Sequence, residues 1–440
     1  VENYPISGLR AHPALTRAYG LLKQACAEVN AELAMIPRPV GRAVARASAE
    51  VAAGKFDDQF VVDVYQAGAG VSFHMNVNEV IANRASELLG GRRGEYRLVH
   101  PNDHVNFGQS TNDTFPTAMR LASLLVLEEF FPALEELEKA FRKKGREFDG
   151  ILKAGRTHLQ DAVPIRLGQE FAAYARALAQ ARQQIRLAAA AVAELGLGGS
   201  AAGTGLNTHP RYARRVVARL RKLTRLPLRE APDKVAAMQS QLPMAALSGA
   251  LRNLALELIR IANDLRLLAS GPLTGFNEIV LPALQPGSSI MPGKVNPVMA
   301  ELLDMVAFQV VGCDTVVALA VQAGQLELNV MMPAMAWNVL HALEILKNTC
   351  RVVARRCVRG IRANREICER YAHRSPALAT ALNPVLGYAR AAEIVKKSLA
   401  TGESIPEVCL EEGVLSEAEV KRILDPRRMT RPGAARPRKR

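Results

Sequence analysis

The sequence predicts an all-α protein organised around a bundle of five long helices. Three observations carry that prediction. Alanine and leucine abound while aromatics make up 5% of the 440 residues, a composition that favours helix over strand. From residue 112 onward, apolar residues recur at helical spacing through five stretches: about Asn112 to Phe148, Pro164 to Leu195, Leu242 to Ser270, Pro297 to Ala323 and Pro333 to Val358. Each would be about 35–55 Å long at a rise of about 1.5 Å per residue. The fourth is apolar almost all round, with only Glu301, Asp304 and Asp314 charged. Such a helix must be covered on several sides, by other subunits as well as by its own chain.

Taken in order, residues 1–111 read as a mixed, mainly helical domain. Helical patterns run from Ala14 to Ile36, Val40 to Ala53 and Asn76 to Leu89, the last stopped by Gly90-Gly91. Gly68-Ala-Gly70 and Pro101-Asn-Asp103 are loop signals. Residues 112–360 form the central domain of long helices, and Gly360 breaks the fifth. Residues 361–426 read as a small helical domain, with patterns at Arg365 to Tyr371, Tyr388 to Leu399 and Ser416 to Leu424. Residues 427–440 hold seven basic residues and no acid, together with Pro432, Gly433 and Pro437, and read as a disordered tail. No repeat of fixed period is present.

A hydrophobic fraction of 49% and a charged fraction of 22% are ordinary for a soluble globular protein with a large core. No uninterrupted apolar run approaches the roughly 18–20 residues of a membrane span, and the amino terminus lacks the basic-then-apolar layout of a signal peptide. The six cysteines (Cys26, Cys313, Cys350, Cys357, Cys368, Cys409) have no C-x-x-C spacing and read as reduced thiols of a cytoplasmic protein, without a disulfide frame or zinc site. Of the net charge of +15, seven units belong to the tail, which leaves +8 for the remainder. No aromatic stacking residue accompanies the tail arginines, so a solubilising tail is preferred to a nucleic-acid arm. A positive body also steers small dianions inward.

The stretch with the densest chemistry is Gly287-Ser-Ser-Ile-Met-Pro-Gly-Lys-Val-Asn-Pro297. It presents two adjacent hydroxyls (Ser288, Ser289), a cation (Lys294) and an amide (Asn296) on a Gly/Pro-rich loop leading into the fourth long helix, where an anion is welcome. Loops of this composition are ordinarily mere connections. A second cluster, Gln109-Ser-Thr-Asn-Asp113, places Ser110, Thr111 and Asn112 at the start of the first long helix. In isolation, plain helix capping explains it. A third, Gly155-Arg-Thr-His-Leu-Gln-Asp-Ala-Val-Pro164, reads as a polar loop carrying Thr157 and His158, and histidine exchanges a proton near neutral pH. Gly203-Thr-Gly-Leu-Asn-Thr-His-Pro210 is turn-rich. Glu301, seven residues past Lys294 on the apolar helix, needs a partner if buried, in a structural ion pair or a functional one.

These four segments together resemble the fumarase/aspartase superfamily, whose signature G-S-S-x-M-P-x-K-x-N the Gly287 stretch matches at every fixed position. The resemblance spans almost the whole chain. It implies a three-domain fold whose five long helices join those of three other subunits in a twenty-helix homotetramer core, with active sites built from three subunits. It implies anti elimination from a small dicarboxylate to release fumarate, without an organic cofactor, and leaves open a divalent cation such as Mg2+ as an activator. Carried over, Ser288 is the general base on a mobile loop. Ser110, Thr111 and Ser289 hold the carboxylate that becomes an aci-carboxylate, while Lys294 and Asn296 hold the other. Asn112, Thr157 and His158 surround the leaving group, and His158 is the partner of Glu301.

Within the superfamily, Pro297-Val-Met-Ala-Glu301, Ala323-Gly-Gln-Leu-Glu-Leu-Asn329 and Gln109-Ser-Thr-Asn resemble aspartases of the bacillus type. Thr114-Phe-Pro-Thr-Ala-Met119 and Thr208-His-Pro210 resemble class II fumarases, and Thr157-His158 fits both. The expectation is an aspartate ammonia-lyase, with fumarate hydratase or another fumarate-releasing amino-acid lyase as the alternative. A non-catalytic homologue would be expected to lose Ser288, Lys294 or His158, and all three are present. The chain departs from the family at Val71, where a carboxylate-binding threonine is usual, at His74, where asparagine is usual, and at Phe107, where lysine is common. Family members also carry a further segment before the position of Val1.

Overall fold

Helix α1 (Pro13–Glu32) begins where the His12 ring accepts the Ala14 N–H at 3.1 Å and proline takes the first turn. It packs along α2 (Arg38–Ala52), and Gly20 makes that approach close: a Cβ there would lie 2.5 Å from the Ala52 nitrogen. Helix α3 (Val71–Leu88) is entered through Gly70, whose φ of +93° and contact with the Phe115 ring only glycine tolerates. A π-turn at Pro101–Val105 leads to α4 (Thr111–Glu147), of 37 residues. Strands β1 (Leu152–Thr157) and β2 (Gln160–Arg166) then form an antiparallel hairpin. Next come α5 (Leu167–Val192), α6 (Tyr212–Thr224), the short α7 (Lys234–Gln239), α8 (Leu242–Leu268), α9 (Val298–Gln322) and α10 (Met332–Val352). The chain closes with α11 (Arg365–Arg374), α12 (Asn383–Leu386), α13 (Tyr388–Thr401), α14 (Ile405–Glu411) and α15 (Glu417–Ile423), the last two each opened by a Ser/Glu capping box. This computed structural model describes residues 1–433.

The protein is all-α apart from small two-stranded pairings, and the five long helices of the sequence are α4, α5, α8, α9 and α10. The chain divides into two compact units. One comprises Val1–Leu134, Gln180–Leu258 and Met305–Thr349; the other comprises Glu135–Ala179, Ile259–Asp304 and the chain from Cys350 onward. Each boundary falls inside one of the five long helices, so each of those helices contributes a part to each unit. The first unit centres on Tyr19, whose ring meets Phe73 and Phe115 edge-on at 5.7 and 6.1 Å. The second holds the aromatic group Phe141, Phe148, Phe171 and Tyr174, and an apolar cluster of its terminal helices around Leu382, Ile394 and Val408.

Several local expectations change. Gly155–Pro164 is not a loop but most of the β1–β2 hairpin, so α5 starts at Leu167. The cause is a buried ion cluster. Lys153, 1% exposed, binds Glu170 at 2.7 Å and Glu278 at 3.0 Å, and Arg156 binds Glu278 at 2.8 Å. The Arg156 guanidinium also lies 4.3 Å from the centre of the Phe276 ring. Lys153 is thus buried in β1 beside the apolar Leu152 and Ala154, and Arg156 is half-buried, so the strand shows no apolar alternation. Helix α3 begins at Val71, five residues before Asn76, and so carries both Val71 and His74. Helices α6, α7, α12 and α14 had no counterpart in the sequence reading.

Arg428–Thr430 form a turn, and Arg166 donates to the Thr430 hydroxyl at 3.0 Å. The stretch expected to be a disordered tail therefore begins as an ordered turn, and its residues 434–440 lie outside the described residues. Helices α8 and α9 are long and apolar enough to cross a membrane by length and composition. Both carry charges along their length, including the pair Arg266–Asp304 at 3.1 Å, and both bury a continuous stripe in the bundle, as core helices do.

Candidate active site

The candidate residues fall into two groups, one in each unit. In the first unit, Ser110, Thr111 and Asn112 open α4, where the helix dipole favours an anion. The fully buried Asp113 carboxylate fixes this turn, accepting N–H bonds from Ser110 (2.9 Å), Gly198 (2.9 Å) and Ser200 (3.1 Å). Burial pushes its pKa up to about 6 despite those donors. The Ser110 hydroxyl accepts the Asn112 N–H at 3.2 Å, and the Asn112 amide donates to the Ala201 carbonyl at 2.8 Å. The glycine-rich segment around Gly198–Gly205 is thereby tied to the helix start.

Behind Thr111 lies a buried basic group, made of His74, already singled out in the sequence, and Lys23, which was not. The Thr111 hydroxyl is 2.7 Å from His74 Nδ1, and His74 Nε2 is 2.8 Å from the Lys23 ammonium. Lys23 also donates to Gln109 at 2.9 Å and Asn106 at 3.1 Å. The signal was in α1: Thr16, Tyr19 and Lys23 recur on the buried face of the helix, and a lysine at a core position marks a built polar site.

In the second unit, Thr157 and His158 sit exposed at the tip of the β1–β2 hairpin. His158 and Leu159, at φ +56° and +60°, form the whole loop, a primed turn usually made by Asn-Gly. Left-handed backbone at two such residues costs about 1–2 kcal/mol each. The buried ion cluster two residues away anchors the strand that bears that cost.

The Gly287 loop is exposed. Gly287 is required because a Cβ would lie 2.6 Å from the Lys294 carbonyl oxygen, which accepts the Ser288 N–H at 3.0 Å. The Ser288 hydroxyl accepts N–H groups from Met291 (3.0 Å) and Ile290 (3.3 Å). The Lys294 ammonium donates to Asn296 at 2.7 Å, so these two residues are neighbours, and Ser289 is exposed beside them. Glu301 stands in the first turn of α9, half-buried where full burial was expected, and it makes no ion pair with His158 within the chain. Among the described residues no group of three or more His, Cys, Asp or Glu side chains is placed to hold a metal ion.

Two family models match the chain: one described as Lyase over residues 2–312, the other as Fumarase C C-terminus over residues 378–431. The chain belongs to the fumarase/aspartase superfamily. As a member of it, the chain is a lyase with that superfamily's all-α fold. It is 46% identical to the aspartate ammonia-lyase of Bacillus subtilis over 99% of this chain and 91% of that one. It is also 47% identical to the class II fumarate hydratase of Thermus aquaticus over 95% of this chain and 90% of the relative. A solved structure described as fumarate lyase:delta crystallin from Brucella melitensis superimposes with a TM-score of 0.95 at 47% identity, covering 98% of this chain and 94% of that one. Superfamily members of both chemistries thus stand at the same distance.

Proposed function

We propose that this lyase is an aspartate ammonia-lyase, forming fumarate and ammonia from L-aspartate by anti elimination. The observation that carries the proposal is the environment of Ser288. A serine acts as a base only as its alkoxide, and two convergent backbone N–H groups favour the charged form of that oxygen. Ser288 removes the proton beside a carboxylate, the electron pair passes into that carboxylate, and its return expels ammonia. Ser110, Thr111 and Ser289 bind the resulting dianionic carboxylate, aided by the dipole of α4. Lys294 and Asn296 hold the second carboxylate, while Asn112, Thr157 and His158 face the departing amine. This chemistry needs no organic cofactor and leaves a divalent cation only the role of activator.

Aspartate is preferred to malate because of Pro297-Val-Met-Ala-Glu301 and Gln109-Ser-Thr-Asn, with support from the likeness to the Bacillus enzymes, 46% and 47% identical over 99% of this chain. The second reading, fumarate hydratase, has support from the equal likeness to the Thermus enzyme. A homotetramer is part of the proposal. On α9, Met305 is 63% and Phe308 58% exposed, an apolar face whose burial between subunits removes it from water and gives Glu301 its partner. Six buried free cysteines suit a cytoplasmic location. The test is fumarate absorbance with L-aspartate and with L-malate, using argininosuccinate and adenylosuccinate as controls. Fumarate from aspartate alone is expected. Fumarate from malate alone would make the protein a hydratase.

A further inference from the structure

Lys23 is 0% exposed and His74 1% exposed, so their hydrogen bonds can be counted against a closed set of partners. An ammonium group has three protons and no lone pair. The three acceptors around Lys23 are His74 Nε2, Gln109 Oε1 and Asn106 Oδ1, at 2.8, 2.9 and 3.1 Å. His74 Nε2 is therefore the lone-pair nitrogen of the ring, and Nδ1 carries the hydrogen. The 2.7 Å contact between Nδ1 and the Thr111 hydroxyl is then a donation from histidine to threonine. Thr111 Oγ1 accepts, and its own hydrogen is directed away from the ring. The Tyr19 ring stacks on the imidazole at 5.6 Å and 22°, which holds the ring plane. Thr114 lies 3.5 Å from Nε2, but its hydroxyl already donates to the Ser110 carbonyl at 2.7 Å.

We infer that Lys23 and His74 form a positioning relay that fixes the Thr111 hydroxyl as a hydrogen-bond donor towards a substrate carboxylate. The inference rests on the proposed reading of Ser110–Asn112 as the carboxylate site. A chain of hydrogen bonds headed by a buried cation polarises each successive donor, so the last one, Thr111, is the strongest where negative charge accumulates. Burial and the charge of Lys23 hold the His74 pKa well below its ordinary value, which keeps the ring neutral and able to accept at one nitrogen and donate at the other. Burial also pushes Lys23 down to about 7, so the full set of three donations belongs to pH below that value.

Two measurements on the protein decide the matter. The first is 15N NMR of histidine-labelled protein at pH 6, with the His74 signals assigned by their loss in His74→Asn. A protonated Nδ1 and an unprotonated Nε2 are expected; the opposite tautomer, or a charged ring, would overturn the relay. The second is calorimetric binding of fumarate. Thr111→Val and His74→Leu should each weaken binding about tenfold to a hundredfold, the range for a hydrogen bond to a charged group. The double variant should bind no worse than Thr111→Val alone, because His74 acts through Thr111. His74→Asn, whose amide can still donate to Thr111, should retain most of the affinity. Additive losses would mean that His74 merely supports the fold and would contradict the relay. Failure of the unaltered protein to bind fumarate would overturn the lyase site instead, and the tautomer measurement would still decide the relay.

Discussion

Ser288→Ala is expected to lower the rate of fumarate formation by about 10²–10⁴-fold, the usual contribution of a positioned general base. The fold should not change. The Ser288 side chain makes no packing contact that the core depends on; its hydroxyl accepts two N–H groups within its own exposed loop. Circular dichroism and the mass measured by light scattering should therefore match the unaltered protein. Turnover within a few-fold of the original would remove Ser288 from the role of base and transfer the proton abstraction to another group. Loss of assembly alongside activity would make the loop a structural element.

Glu278→Gln is expected to have the largest effect on stability, with a loss of about 3–5 kcal/mol. Glu278 is 0% exposed and faces two cations, Lys153 and Arg156. Removing its charge leaves Glu170 to balance Lys153, and leaves Arg156 only the exposed Asp161, 3.5 Å away. Burial by itself would lower the Lys153 pKa, but Glu170 and Glu278 together hold it above the ordinary value, so the ammonium depends on them. Urea unfolding at fixed protein concentration measures the change. The paired variant Arg156→Met with Glu278→Met should recover much of the loss, since it leaves the Lys153–Glu170 pair intact and replacing a buried ion pair by apolar groups costs far less than breaking it. A change below about 1 kcal/mol in the single variant would put the cluster in the class of solvent-screened pairs. Activity gives a second reading, because the hairpin that the cluster anchors carries Thr157 and His158.

How far the chain could be read in advance depended on which force shapes each region. The five long helices were legible because their apolar stripes persist for many turns, and such a pattern has no other stable solution. The Gly287–Pro297 loop was legible as a place for chemistry because hydroxyls, a lysine and two glycines stand where no regular element can form. The hairpin was not. Its first strand carries Lys153 and Arg156, whose burial depends on Glu170 and, far along the chain, Glu278, and its turn is His-Leu with no glycine or asparagine to announce it.

The start of α3 was misplaced for a related reason. Gly70 at positive φ launches the helix at Val71, while Gly68-Ala-Gly70 looks from sequence like a longer loop. That error mattered, since it kept His74 from being seen on a helix face directed at Thr111. Lys23 was hidden by its ordinary setting in an amphipathic helix. Only its three acceptors, all more than fifty residues away in sequence, distinguish it from a surface lysine.

The central claim is that this lyase breaks a carbon–nitrogen bond by anti elimination, and the reverse reaction tests it most directly. Fumarate and ammonium would be incubated with the protein in D2O and the product followed by proton NMR. The account predicts L-aspartate carrying a single deuterium at C3, in the one diastereomer that trans addition produces. Deuterated malate with no aspartate, or aspartate labelled in both C3 configurations, would contradict it.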